Sequence, residues 1–220
     1  MANRLKIDFV SDVACPWCVI GLKSLEVALA RLDGEISADL HFQPFELNPQ
    51  MPPGGQDVAE HIAEKYGSTR EQFARSSEAI SARGAELGFD FQMAKRDRIY
   101  NTFDAHRLLH WAEGAGHQQA LKQALFDAYF TEGKNPSDHA TLVAIAARAG
   151  LDAQRAQQIL ASNEYAQAVR EREQFYRQHG IQAVPSVIVN DRHLIQGGQP
   201  VDVFEQALRQ IAAEQTAAGA

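Results

Sequence analysis

Leu5-Lys6-Ile7-Asp8-Phe9-Val10-Ser11-Asp12-Val13-Ala14-Cys15-Pro16-Trp17-Cys18 runs from a strand-like segment, Leu5–Val10, straight into a pair of cysteines and then into an amphipathic helix. These are the only two cysteines among 220 residues, and two residues apart they can close on each other. A C-x-x-C at such a strand-to-helix junction reads as a redox pair. With Cys15 at the N-cap and Pro16 at the first helical position, where its missing N–H costs nothing, the Cys15 sulfur is expected to face the unsatisfied N–H groups of the first turn. That placement predicts an exposed sulfur with a pKa below the free-cysteine value of about 8.5. Cys18, Leu22, Leu25, Leu29 and Leu32 share one apolar stripe, so Cys18 starts on the buried face as the resolving thiol.

Two other uses of a cysteine pair fit less well. Zinc needs two more ligands of good geometry, and no second cysteine pair exists. A structural staple across so short a loop removes little chain entropy, and a domain of this size does not need it.

Working outward, Pro16–Leu32 is predicted as a helix and Ala38–Glu46 as a second strand. The far end supplies a matching block: Val187–Val189 as a buried strand, His193–Ile195 as its hairpin mate across Asn190-Asp191, and Val201–Ile211 as a closing helix. Between the blocks lie helix candidates at Asp57–Lys65, Thr69–Glu86, Tyr100–Glu113, His117–Thr131, Asp138–Ala149, Ala153–Leu160 and Glu164–Gln178, punctuated by glycines. The Pro-rich segment Asn48–Gly55 reads as a stiff connector into them. A β-α-β unit, a helical insertion and a β-β-α unit make up the chain order of an α/β, thioredoxin-like fold. The expected division is a discontinuous thioredoxin-like domain, residues 1–55 and 165–220, with an inserted all-α domain at 56–164.

Composition sets bounds. Hydrophobic residues make up 45% of the chain, enough for a full core. A net charge of −7, from 21 basic and 28 acidic residues without a basic cluster, argues against nucleic acid or an anionic membrane as partner. No secretory signal precedes the strand at Leu5 and no run approaches a membrane span, so the sequence reads as cytoplasmic, where a disulfide is transient and catalytic rather than structural.

Val184–Pro185, just before the buried strand, is either a cis bond turning the chain into the sheet or an ordinary trans proline at a strand's first residue. His106 and His110 are one helical turn apart, the spacing of a metal pair, but without a third ligand nearby they read as a helix-face pair, and no metal is predicted. Asp12 and Glu46 could assist proton transfer from Cys18, though both also read as hydrogen-bonded strand ends.

Several motifs in order now support a resemblance over nearly the whole chain: Ser11–Cys18, Pro44–Pro49, Asn101–Leu108, Leu125–Phe130, Ala183–Ser186 and Gly197–Gln199. The chain resembles the DsbA-like branch of the thioredoxin superfamily, and within it the FrnE-type dithiol–disulfide oxidoreductases or isomerases. The resemblance implies Cys15 as nucleophile, Cys18 as resolving cysteine, Pro16 and Trp17 as the residues between them, and a cis Val184–Pro185 element lying against the pair. It further implies that Val184 offers its backbone to an extended substrate, and that the Asn101–His106 helix borders the groove facing the cysteines. Ala183 stands where relatives often have Gly, and Gly198 where they often have Ala. The implied substrates are protein or small-molecule disulfides. No cofactor is implied beyond the Cys15–Cys18 pair itself, with glutathione a candidate reductant and the recycling partner and oligomeric state left open. Two alternatives stand beside this reading: a glutathione-dependent isomerase or transferase of the 2-hydroxychromene-2-carboxylate isomerase or kappa type, which typically carries Ser at the first active position, and a chaperone-like binding module.

Overall fold

The computed structural model describes residues 3–218, and a central four-stranded sheet organises it. β1 (Asn3–Ser11) leads into α1 (Pro16–Arg31) and β2 (Ile36–Pro44), which returns parallel to β1 in register from Asn3 opposite Ile36 to Ser11 opposite Pro44. Near the other end β5 (Ser186–Val189) pairs antiparallel with β1, and β6 (His193–Gln196) pairs antiparallel with β5, giving the order β2-β1-β5-β6. The Asn190-Asp191 turn between them has both residues at positive φ, 52° and 57°, the conformation a two-residue hairpin needs. α9 (Val201–Ala218) closes the chain's described part.

β1 is central and buried on both faces, which is why Leu5 to Val10 carries so little polar surface. Leu5, Ile7 and Phe9 face α1 and α9 and pack with Leu22, Leu25, Phe204 and Leu208. Val10 points the other way, to Phe45, Tyr176 and Ile181. Asp8, also on that face, is 2% exposed and accepts from Gln43 Nε2 at 2.6 Å and pairs with Lys6 Nζ at 3.0 Å, so its burial is compensated.

Between β2 and β5 the chain is mostly helical: α2 (Val58–Tyr66), α3 (Arg70–Glu86), α4 (Phe103–Gly114), α5 (Gln118–Phe126), α6 (His139–Arg148), α7 (Ala153–Leu160) and α8 (Ala166–Gln178). Three details differ from the sequence reading. A short antiparallel pair, β3 (Gln56–Asp57) with β4 (Arg98–Ile99), ties the start of this stretch to residues forty positions on, a non-local pairing without any periodic signature. α4 begins at Phe103 rather than Tyr100, because the Asn101 side chain accepts from Phe103 N–H and ends the extended segment there. α5 gives way at Asp127 to a π-helical turn over Asp127–Thr131, which brings Tyr129 and Phe130 into the sheet's own core beside Phe89 and Phe91. The remaining helices bury a separate cluster built on Leu108, Leu121, Leu125, Leu142 and Ile159, and Val13 of the cysteine loop packs into it. Among the described residues no helix is long and apolar enough to cross a membrane.

α1 carries a glycine in its second turn, where alanine would favour the helix by about 1 kcal/mol. The reason is contact: a Cβ on Gly21 would come within 2.9 Å of Pro185 Cγ and 3.4 Å of Gly198 Cα. Gly21→Ala is therefore expected to lower the unfolding free energy by about 1–3 kcal/mol despite the gain in propensity, as overpacking does. Urea denaturation of the two proteins measures this, and a more stable variant would contradict the close approach.

Candidate active site

The loop from β1 into α1 is held by Asp12. Its side chain is 1% exposed and accepts from Ala14 N–H at 3.2 Å and from Leu47 N–H at 2.7 Å, fastening the cysteine loop to the segment that follows β2. Burial pushes this carboxyl up, but the His106 imidazole beside it and the two backbone donors outweigh burial and hold it below the usual carboxylate range. His106 Nε2 lies 3.6 Å from Asp12 Oδ1, too long for a hydrogen bond.

Cys15 takes the N-cap position in extended conformation, with Pro16 as the first helical residue. Its sulfur makes no cap bond to the first turn. It lies instead 3.7 Å from the carbonyl oxygen of Val184, as donor, and the Val184–Pro185 bond is cis. Ser186 Oγ donates to Ala183 O, and Gly197 N–H to Pro185 O, so the segment before β5 is fixed from both sides. Gly198 packs against Trp17: an added Cβ would sit 3.1 Å from Trp17 O and 3.3 Å from Trp17 Cε3. That missing methyl lets Trp17, 41% exposed, lie close to the segment after β6.

Cys15 is only 4% exposed, which corrects the expectation of an open sulfur. It is reached through a cavity of about 710 Å³ that α2, α3 and residues 93–99 wall off on one side, and Phe45–Pro49 and Gln182–Val184 on the other. Asn48 and Pro49 thus belong to the wall, which gives the Pro-rich segment more than a connecting role. Asn101 and His106 do not line this cavity, contrary to expectation. Asn101 Nδ2 donates to Glu46 Oε1 at 3.3 Å, and His106, 2% exposed, sits behind the cysteine loop next to Asp12. Arg170 pairs with the fully buried Glu46 carboxylate, which therefore serves as an anchor between β2 and α8.

Behind Cys15 the site is closed. Cys18 is fully buried, and burial together with the adjacent Cys15 sulfur pushes its thiol well above its ordinary value. Two features oppose that rise, the charge of Lys122 and the backbone N–H of Asp12. Lys122, on α5, is 1% exposed and lies with its ammonium 4.8 Å from the centroid of Phe126. Burial lowers it to about 8, with Cys18, Asp12 and Cys15 acting in the opposite sense. The sequence reading missed this residue, although the signal was there: Gln118, Leu121, Lys122 and Leu125 fall at i, i+3, i+4 and i+7, so Lys122 lies in the apolar stripe of α5. His106, His110 and Glu113 border the small cleft beside it.

Comparison with known proteins places this geometry in a family. The profile of the DSBA-like thioredoxin domain matches residues 6–209. The crystal structure of a probable DsbA oxidoreductase from Streptomyces coelicolor is 34% identical, superposes with a TM-score of 0.87, and the match covers 94% of this chain and 89% of that one. The uncharacterized protein YwbO of Bacillus subtilis is 27% identical over 203 residues, 92% of this chain and 94% of its own length. The cytosolic disulfide reductase DsbM from Pseudomonas aeruginosa, solved with GSH, shares the fold at 16% identity and a TM-score of 0.63, over 93% of this chain and 98% of that one.

Lys122 gives a prediction with a defined sign. Below about pH 8 its ammonium is charged in both folded and unfolded chains; between there and about 10.4 only the unfolded chain keeps the proton, so rising pH favours the folded state. Lys122→Met is expected to be the more stable protein at pH 7, with its advantage shrinking across that window. In the same variant Cys18 loses an opposing charge, so release of a mixed disulfide from Cys15 should slow at pH 7. Denaturation at stepped pH and single-turnover thiol release measure the two effects, and a variant that is less stable throughout, with unchanged release, would contradict them.

Proposed function

Because the chain belongs to the DSBA-like thioredoxin domain family, we propose that it exchanges disulfides through a mixed disulfide at Cys15, which Cys18 then resolves. The observation that carries this reading is the position of Cys15 Sγ, at the inner end of the cavity and 3.7 Å from the Val184 carbonyl, with Cys18 buried behind it. Cys15 attacks one sulfur of the substrate and the other departs as a thiolate. Cys18, once deprotonated, attacks Cys15 and frees the second half of the substrate, leaving the Cys15–Cys18 disulfide. The Val184 carbonyl offers an extended substrate an acceptor beside the reacting sulfur. Lys122 favours the thiolate of Cys18 at the resolving step.

Transferase chemistry of the kappa type needs no second thiol, and the enclosed Cys18 with its opposing ammonium supports exchange over that alternative. The proposed compartment is the cytoplasm, and the proposed direction is reduction or isomerisation. If the pair had a potential near −180 mV, a cytosolic poise of about −250 mV would favour the dithiol by about 3 kcal/mol. Net oxidation there would require a dedicated oxidant.

The test is insulin reduction by dithiothreitol. Turbidity should develop faster with the protein present and fall to background in Cys15→Ser, while Cys18→Ser should accumulate substrate on Cys15. Suppressed aggregation that survives a double Cys→Ala change would instead favour the binding-module reading. Acid quench and thiol labelling in source cells should find the pair mostly reduced; a predominantly oxidised pair would reverse the direction.

A further inference from the structure

The cavity that leads to Cys15 has an unusual charge balance for a chain of net charge −7. Its one acidic lining residue, Glu46, has a fully buried carboxylate paired with Arg170, which Glu173 also meets. Three cations line the same space, Lys65 from α2, Arg96 ahead of β4, and Arg177 from α8. Each is held by neutral acceptors. Lys65 Nζ donates to Leu47 O at 2.8 Å and Asn48 Oδ1 at 2.7 Å, Arg96 Nε to Tyr129 Oη at 3.0 Å, and Arg177 Nη2 to Glu46 O at 3.0 Å. Aromatic rings support all three: Tyr66 under Lys65, Tyr129 and Phe130 under Arg96, and Phe45 under Arg177.

Among the described residues no carboxylate pairs with any of them. Elsewhere Arg31, Arg107, Arg148, Arg155, Arg170 and Arg209 each meet an acidic side chain, while other cations such as Arg83 and Arg98 are held by backbone carbonyls. What sets the cavity apart is that three such cations line one space whose single acidic lining residue is already paired. His61, in the same wall, feels them: burial first, then the charges of Lys65 and Arg96, lower its imidazole from the ordinary range, and only Glu64 acts against them. Arg96 is 8% exposed and lies in the wall, whereas Lys65 and Arg177 are exposed at the rim. The volume, about 710 Å³, is that of a small-molecule site.

We propose that the disulfide taken by this site is a low-molecular-weight one whose organic part carries carboxylates, which Lys65, Arg96 and Arg177 draw in and hold while its sulfur meets Cys15. The inference rests on the exchange reading above and specifies its substrate. The balance is that of a two-electron reduction. The Cys15 thiolate forms a bond to one sulfur, the substrate's S–S bond breaks, and the first carboxylate-bearing thiolate leaves and takes a proton from water. Cys18 then bonds to Cys15 and releases the second. The protein ends as a disulfide, and a thiol reductant must restore it.

The experiment uses the reduced full chain and three disulfides of graded charge: 3,3′-dithiodipropionate as dianion, bis(2-hydroxyethyl) disulfide as neutral compound, and cystamine as dication. Each rate is divided by the rate of the same disulfide with 2-mercaptoethanol, which removes intrinsic reactivity. The expected order is dianion, neutral, dication, with the dianion ahead of the neutral compound by about tenfold at low salt, from a factor of about two to three per cation. The advantage should shrink as ionic strength rises. Lys65→Gln and Arg177→Gln, both at exposed positions, should each reduce the dianion-to-neutral ratio about two- to threefold, and Arg96→Gln should reduce it too. Equal normalised rates across the series, or ratios unchanged in all three variants, overturn the anion assignment alone. Insulin disulfides outpacing the dianion after the same normalisation overturn the small-molecule assignment. No reaction with any disulfide overturns both this inference and the exchange reading.

Discussion

A fully buried carboxylate, Asp12, holds the reactive loop in place, and the rest of the site depends on it. Burial alone would favour its neutral form, which could accept fewer of the donors around it. Two backbone N–H groups and the neighbouring imidazole reverse that preference. The resulting anion ties Ala14 to Leu47, and so fixes the start of α1 to the segment after β2. With that end fixed, α1 can pass close over Pro185 and Gly198 only because Gly21 and Gly198 carry no side chains. The sulfur of Cys15 is thereby set against the Val184 carbonyl by backbone packing from both directions, rather than by any bond of its own to the helix end.

The same carboxylate explains how Lys122 can be buried. An isolated ammonium in an apolar bundle is costly, and its charge is retained only where opposite or titratable partners face it. Asp12, Cys18 and Cys15 all favour the charged form of Lys122. Lys122 in turn favours the charged form of Cys18. The electrostatics of the resolving thiol are thus carried jointly by the cysteine loop and by α5, two parts of the chain about a hundred residues apart.

The elements of the sheet were legible because their signals are local. Leu5–Val10 is mostly apolar, with Leu5, Ile7 and Phe9 alternating toward the helices; Asn190-Asp191 is a turn dipeptide; Cys18, Leu22, Leu25 and Leu32 share a stripe and are buried together. The site's inner half was legible in the same way, through the spacing of Cys15 and Cys18 and the position of Pro16. What could not be read was the environment. Cys15 looked open because its own segment leaves it open, but it is reached through a cavity that α2, α3 and residues 93–99 help wall, none of them near it in sequence. Asn101 and His106 were placed at the groove by resemblance, and neither lines the cavity: Asn101 is tethered to Glu46 and caps Phe103 N–H, and His106 lies buried beside Asp12. Lys122 was a polar residue in an apolar stripe, an inconsistency between pattern and residue that local propensity cannot resolve but that burial among partners does.

The covering of Cys15 also explains why the helical stretch bears on chemistry and not only on stability. A sulfur at the end of an open helix could meet any disulfide that diffused to it, and selectivity would fall to the few contacts around Val184. Here the route to Cys15 is lined by side chains from both parts of the fold: Phe45 and Val184 on the sheet side, Lys65, Arg96 and Ile80 on the helical side. Steric fit in such a route is set by the helices, whereas the reacting geometry is set by the sheet, so the two can vary separately. A change in α2 or α3 would alter which disulfides arrive without moving Cys15, Cys18 or Val184 relative to one another. Asp12 links the reacting loop to Leu47, and Lys65 of α2 donates to Leu47 O and Asn48 Oδ1, so the segment after β2 is where the two halves of the route meet.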